Sequence, residues 1–227
     1  QVVVDEDPSN SSAQGTLAFL LSQSGAGEDA MAIFDVILAG DEGDWTQYYN
    51  AGLSLYRAED WARCALAFEK VLERAPKHRD AMDYRVEALR NAGQYAEQIE
   101  VSAALIELDP NNRIALTLHY QALSTEGAGQ EELQPTLDQL LDLQFEMEGL
   151  TLAAAPEGGS VSGYFINKAM DPGATIKLAF TYYDDIGEAI GTTDVEIEVP
   201  DLDGETTFNI SFDTDIPVVG YSYEVVE

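Results

Sequence analysis

The sequence predicts a multidomain α + β chain. An α-solenoid of three to four helix pairs fills residues 11–148, and a small antiparallel, Ig-like β-sandwich fills 149–227. Three observations predict this. Apolar residues in the first two thirds recur at helical spacing, and the pattern repeats with an offset of 34 residues. Near residue 150 the hydrophobic period falls from 3.6 to 2. Clusters of Gly, Asp and Pro then separate short alternating runs, as turns require. A chain of 227 residues has room for such a pair of domains, and it holds no apolar run of about 18 residues or more that would span a membrane.

Residues 1–10, QVVVDEDPSN, stand apart as a strand-like arm on a polar tether, with the β-branched Val2, Val3 and Val4 at its tip. The repeat follows. WARCALAFEKVLERAP (61–76) lies in register with YAEQIEVSAALIELDP (95–110): Trp61 matches Tyr95, Leu72 matches Ile106 and Pro76 matches Pro110. YYNAGLSLYRAED (48–60) matches MDYRVEALRNAGQ (82–94) in the same register. One step back from Phe68 is Phe34, and one step on from Asp80-Ala81 is Ile114-Ala115. This pattern resembles the tetratricopeptide repeat. The best copy, 45–78, has Gly52 where two helices approach closely, Cys64 in a small slot, Phe68 in a large one, and Pro76 ending the second helix. The copy at 79–112 closes with the terminator-like LDPNN but departs from the pattern at Gln98 and Ser102. The flanking copies, 11–44 and 113–146, are degraded, as solenoid ends are, and Pro135 is expected to shift the start of the last helix.

In the second part, TIKLAFTYYDD places Ile176, Leu178, Phe180 and Tyr182 on one face. DVEIEVP, TTFNISFD and VGYSYEVV alternate likewise, the last presenting Tyr221, Tyr223 and Val225. The run FTYYDDIGEAIG resembles the signature of FxLYD-type bacterial sandwich domains. Phe180, Tyr183 and Asp184 fit, while Tyr182 stands where Leu is usual. That resemblance implies an extracytoplasmic accessory domain without catalytic residues.

Forty-two acidic residues against eleven basic ones give a net charge of −31. Such a surface repels nucleic acid and anionic membrane, so neither is expected as a partner. It reads as a solvated surface, with cation binding as the sharper alternative. Catalytic machinery is not expected, nor is a cofactor. GxSxG, Walker, HExxH and GxGxxG patterns are missing in fitting contexts. His78 and His119 read as a solvated turn residue and a helix-packing residue, not metal ligands, and Cys64 as a small buried hydrophobe. DLDGE (201–205) and DEGD (41–44) lack full calcium-loop spacing and read as a β-turn and a capping turn. Asn10 and Asn209 stand in sequons that would accept glycans in a host that makes them.

The concave repeat face is expected to present Tyr49, Leu53, Tyr56 and Arg57, then Asp83, Glu87 and Arg90, then Thr117 and Gln121. This aromatic and acidic lining suits a neutral or basic segment, and it lacks the Lys and Asn of a carboxylate clamp. Six strands fall short of the seven common in such sandwiches, and an unfilled sheet edge is a template for another strand. Residues 6–13 reach about 27 Å, so Val2–Val4 would enter a neighbouring molecule more easily than their own. The expected function is an exported, non-catalytic structural and protein-interaction subunit. It would build a head-to-tail extracellular filament by donating this strand to the next copy. The alternative is a monomeric periplasmic or cell-surface adaptor that holds a peptide of an envelope partner. A chain starting with Gln is expected to be the mature product of signal-peptide removal.

Overall fold

The computed structural model describes residues 15–18, 20–21, 24–25, 27–40, 43–155 and 158–226. Val2, Val3, Val4 and Asn10 lie outside the described residues, as do two residues of the 41–44 turn. The chain packs as two compact units, Gln1–Pro76 with Asp80–Gln94, and Lys77–Arg79 with Tyr95–Glu227.

The helices are α1 (Gly27–Ala39), α2 (Trp45–Arg57), α3 (Trp61–Arg74), α4 (Arg79–Ala92), α5 (Tyr95–Leu108), α6 (Arg113–Thr125) and α7 (Gln130–Leu141), with further helical residues at 15–18 and 20–21. Their starts keep the repeat. Trp45, Arg79 and Arg113 open the first helix of successive pairs, and Gly27, Trp61 and Tyr95 open the second. The turn within each pair repeats too. Gly25, Glu59, Gly93 and Gly127 all have left-handed backbones, with φ between 57° and 86°. Three copies meet this demand with glycine, which has no Cβ to clash, and one does not. Glu59→Gly is therefore expected to raise stability by about 0.5–1 kcal/mol, seen as a higher urea midpoint at unchanged slope.

Within the first unit, Gly52 explains how α2 and α3 meet. A Cβ there would lie 2.7–2.9 Å from the ring of Phe68, which is fully buried. Cys64 fills the neighbouring small slot, with its thiol 3.5 Å from the Gly52 carbonyl, and burial pushes its pKa up to about 12. Asp44 and Asp60 cap α2 and α3 by accepting from the Gln47 and Arg63 amides.

In the second unit, the two residues that break the repeat pattern are buried and bonded. Gln98 donates from Nε2 to the Leu118 carbonyl at 3.0 Å, and the Ser102 hydroxyl donates to the Gln98 carbonyl at 2.6 Å. The last helix starts off the repeat register, as expected, with Pro135 within it. This is α7, which opens at Gln130 under a Gly129–Glu132 cap, one residue later than the repeat would place it.

The sandwich comprises β1 (Phe145–Ala155), β2 (Gly158–Asn167), β3 (Thr175–Tyr183), β4 (Ala189–Glu198), β5 (Glu205–Phe212) and β6 (Gly220–Val226). They form two three-stranded antiparallel sheets, β1-β2-β5 and β4-β3-β6. Strand structure starts at Phe145, four residues before the expected boundary of 148/149, because Leu143, Phe145 and Met147 already alternate into the core. Ile176, Leu178, Phe180, Tyr182, Tyr221 and Tyr223 are buried as their alternation requires. Val225, expected inward, is 54% exposed although it pairs with Leu178, and β6 is an edge strand of its sheet. The DLDGE turn is held by protein groups. Buried Asn167 bonds the Met170 and Pro200 carbonyls and the Met170 amide, and its own carbonyl accepts from Asp203. Among the described residues no group of three or more His, Cys, Asp or Glu is placed to hold a metal ion.

One buried residue ties the repeat turns to the sandwich. Asp109, of LDPNN, is 0% exposed and its carboxylate accepts four hydrogen bonds. Arg79 donates to its Oδ2 from Nε at 3.0 Å and Nη2 at 2.7 Å, and Asn112 Nδ2 joins at 3.1 Å. The Tyr223 hydroxyl, reaching out of the sandwich core, donates to Oδ1 at 2.7 Å and itself accepts from the Asn111 amide at 3.1 Å. Burial, then the nearby Asp109 carboxylate, pushes the Tyr223 pKa well up. Asn111 also donates to the Phe145 carbonyl, and Arg113 pairs with Glu146. At the other end of β6, a Cβ on Gly220 would meet the Lys77 carbonyl at 1.9 Å, so glycine is required for the approach.

Candidate functional site

In the first unit, the facing sides of α2 and α4 gather aromatic rings. Phe68 and Tyr84 stack with centroids 5.3 Å apart and planes at 8°. Tyr49 meets both edge-on, at 5.7 and 6.4 Å. Tyr56 is edge-on to Tyr84 at 5.2 Å and to Trp61 at 5.4 Å. Phe68 is buried, whereas the other four remain partly accessible. Such edge-to-face packing fixes the rings as a preformed apolar surface.

Carboxylates accompany it. Asp80, Asp83 and Glu87 are half-buried on α4, and Glu87 accepts the Tyr56 hydroxyl at 2.7 Å. Burial, then the bond to Glu87, raises the Tyr56 pKa; burial, then the charge of Asp80, raises that of Tyr49. Both phenols therefore stay neutral donors. Aromatic faces beside carboxylates are suited to Lys or Arg side chains, through cation–π attraction and ion pairing.

Tyr49, Leu53, Tyr56, Asp83 and Glu87 thus share one half-buried region of the first unit, with Arg57 and Arg90 exposed. Gln121 is exposed on α6 in the second unit. Asp80 and Tyr84 were not among the residues expected on this face. The signal was available: 80, 83, 84 and 87 are spaced i, i+3, i+4, i+7, one helical face.

No known protein family and no curated protein matches the sequence. Solved structures of MamA do match. MamA AMB-1 superposes with a TM-score of 0.50 at 19% identity, over 60% of this chain and 74% of that one. MamA MSR-1 gives 0.48 at 18%, over 60% and 78%, and a further MamA crystal structure gives 0.47 at 18%, over 62% and 81%. The helical part has a tetratricopeptide-like fold. Identity this low bears on fold alone, and the 34-residue spacing of the helix starts carries the same conclusion from within the chain.

In the sandwich, Phe180 is a central core ring, and Tyr183 bonds Ser222 through its hydroxyl at 2.9 Å. Asp184 accepts from the Ile186 and Glu188 amides, closing the β3–β4 turn. These are structural tasks. Asn209 is exposed on β5.

His78 is buried, not solvated as expected, because its turn packs within the second unit. His119 is half-buried on α6, with Nδ1 2.8 Å from the Ser102 hydroxyl. Burial holds its pKa below the ordinary value. Below about pH 6.5 the unfolded chain then binds the proton more readily than the folded one. The contribution of neutral His119 is present above that pH and is lost as pH falls towards the folded value. His119→Gln is expected to flatten this slope, measured as the change in urea midpoint between about pH 7.5 and pH 5.5.

Proposed function

We propose that this chain is a non-catalytic protein-interaction subunit that works outside the cytoplasm and assembles head to tail, Val2–Val4 of one copy adding as a strand to the β-domain of the next. The observation that supports this reading is the division of the sandwich into two three-stranded sheets, each ending in edge strands with free backbone groups. A helical-repeat body separate in sequence from both arm and sandwich suits a building block. Donation in one direction along successive copies is heterologous and gives a ring or an open fibre.

The test is light scattering of the full chain and of a chain lacking residues 1–7. Multimers in the first and monomers in the second are expected; monomers in both reject assembly. Because each copy carries −31 charges, assembly should strengthen as salt shortens the Debye length from roughly 10 Å near 0.1 M to roughly 3 Å near 1 M.

A second reading is favoured by the α2–α4 face. There the chain acts as an adaptor, periplasmic or at the cell surface, and takes a basic segment of an envelope protein against Tyr49, Tyr56 and Tyr84 with Glu87 beside them. Titration calorimetry with Lys- and Arg-bearing peptides tests this. Binding that weakens in Glu87→Gln and Asp83→Asn supports it, and equal binding by both variants rejects it.

A further inference from the structure

The two sheets of the sandwich do not close on each other evenly. On one side the edge strands β4 and β5 face across a cleft of about 360 Å³, whose lining includes Tyr182, Ile190, Thr192, Thr193, Phe212 and the acidic Asp213. The cleft is a groove open to solvent, and its lining is more polar than apolar. The core beneath is incompletely covered, since Ile190 and Val195 of β4 are only partly buried. Tyr182 is 2% exposed and stacks on Phe212 at 3.8 Å. Its hydroxyl makes no hydrogen bond of ordinary length, with Thr193 the polar side chain near it. Along the cleft, β4 presents Ala189–Thr193 without a charge, whereas its far half carries Asp194, Glu196 and Glu198. A free strand edge, the partly buried Ile190 and a buried hydroxyl without a bond of ordinary length meet at one place.

We infer that the β4–β5 cleft is the acceptor for strand addition and that its occupant is Val2–Val4 of a second copy of this chain. The inference rests on the assembly proposed above and names its site. Fourteen residues precede the first described one, and among them Val2–Val4 is a β-branched run followed by acids. The valine run and the Ala189–Thr193 half of β4 carry no charge themselves, but Asp5, Glu6 and Asp7 adjoin the one and Asp213 the other, so added salt should favour their approach. Side chains alternate along an added strand, so Val2 and Val4 enter the cleft over Ile190 and Phe212 while Val3 faces out beside Thr192. A backbone group of the entering strand supplies the partner of the Tyr182 hydroxyl. The uncharged tip of β1, at Thr151–Ala155, is the competing edge. Both edges carry a register irregularity, β1 between Glu148 and Thr151 and β4 opposite Tyr182 and Tyr183, and the cleft lies against β4.

The test is disulfide trapping in the full-length chain. Native Cys64 is buried and does not interfere. Under oxidation, Val3→Cys with Thr192→Cys should give a ladder of linked multimers that reduction collapses, while Val3→Cys with Ala153→Cys should give none. A ladder from the Ala153 pair, or a link closed within one chain at Thr192, overturns the inference. Multimers seen by light scattering without any Thr192 cross-link remove the cleft as acceptor but leave assembly standing. A chain monomeric at every salt concentration removes both.

Discussion

Asp109→Ala should lower the unfolding free energy by about 3–5 kcal/mol, as expected when one partner of a buried ion pair is removed. The carboxylate is fully buried and accepts from Arg79, Asn112 and Tyr223. Without it the Arg79 guanidinium, 8% exposed, loses two charge-assisted hydrogen bonds in a poorly solvated site. The Tyr223 hydroxyl loses its acceptor at the same time. Tyr223→Phe removes a single bond to a charged group and should cost only about 1.5–3 kcal/mol. Urea denaturation of both variants checks the order, and Asp109→Ala costing no more than Tyr223→Phe would show that the bonds from Arg79 to Asp109 contribute little.

Phe68→Ala should also cost about 3–5 kcal/mol. The ring is fully buried, stacks on Tyr84, receives the edge of Tyr49, and sits under the Gly52 backbone. Its removal leaves a cavity at the centre of the first unit and loosens the aromatic face above. Gly52→Ala gives a sharper test. In an ordinary helix interior this change gains up to about 1 kcal/mol. Here the new methyl would meet the Phe68 ring at 2.7–2.9 Å, so overpacking of about 1–3 kcal/mol should outweigh the gain. In the Phe68→Ala background the same methyl has room, and the sign should reverse. Additive effects of the two changes would contradict the packing assigned to them.

The helical part was legible because its signals are local and repeated. Gly52, Phe68 and the 34-residue offset can be read along the chain, and the helix starts follow that offset. The strands were legible where alternation runs unbroken, as from Ile176 to Tyr182. Reading failed where two periods overlap. Leu140, Leu143, Phe145 and Met147 fit the end of a helix as well as the start of a strand, and the boundary was placed late. The site was legible in part. Tyr49, Tyr56, Asp83 and Glu87 follow from repeat position, but Tyr84 joins the face because it stacks on Phe68 of another helix. Asp109 looked like a turn residue; that its carboxylate meets Tyr223, over a hundred residues later, depends on tertiary packing that no local pattern carries. The β4–β5 cleft was invisible for the same reason: strand count suggested an unfilled sheet but could not say which edge.

The Asp109 junction has a mechanical consequence. Tyr223 lies on the last strand, and its hydroxyl is anchored in the turn between α5 and α6. Tension applied between α5 and the end of β6 is therefore borne by a short side-chain tether in parallel with the covalent path through α6, α7 and β1. Stretching this part of a single molecule should give one high-force rupture, which Asp109→Ala splits into separate, weaker yields of helices and sandwich.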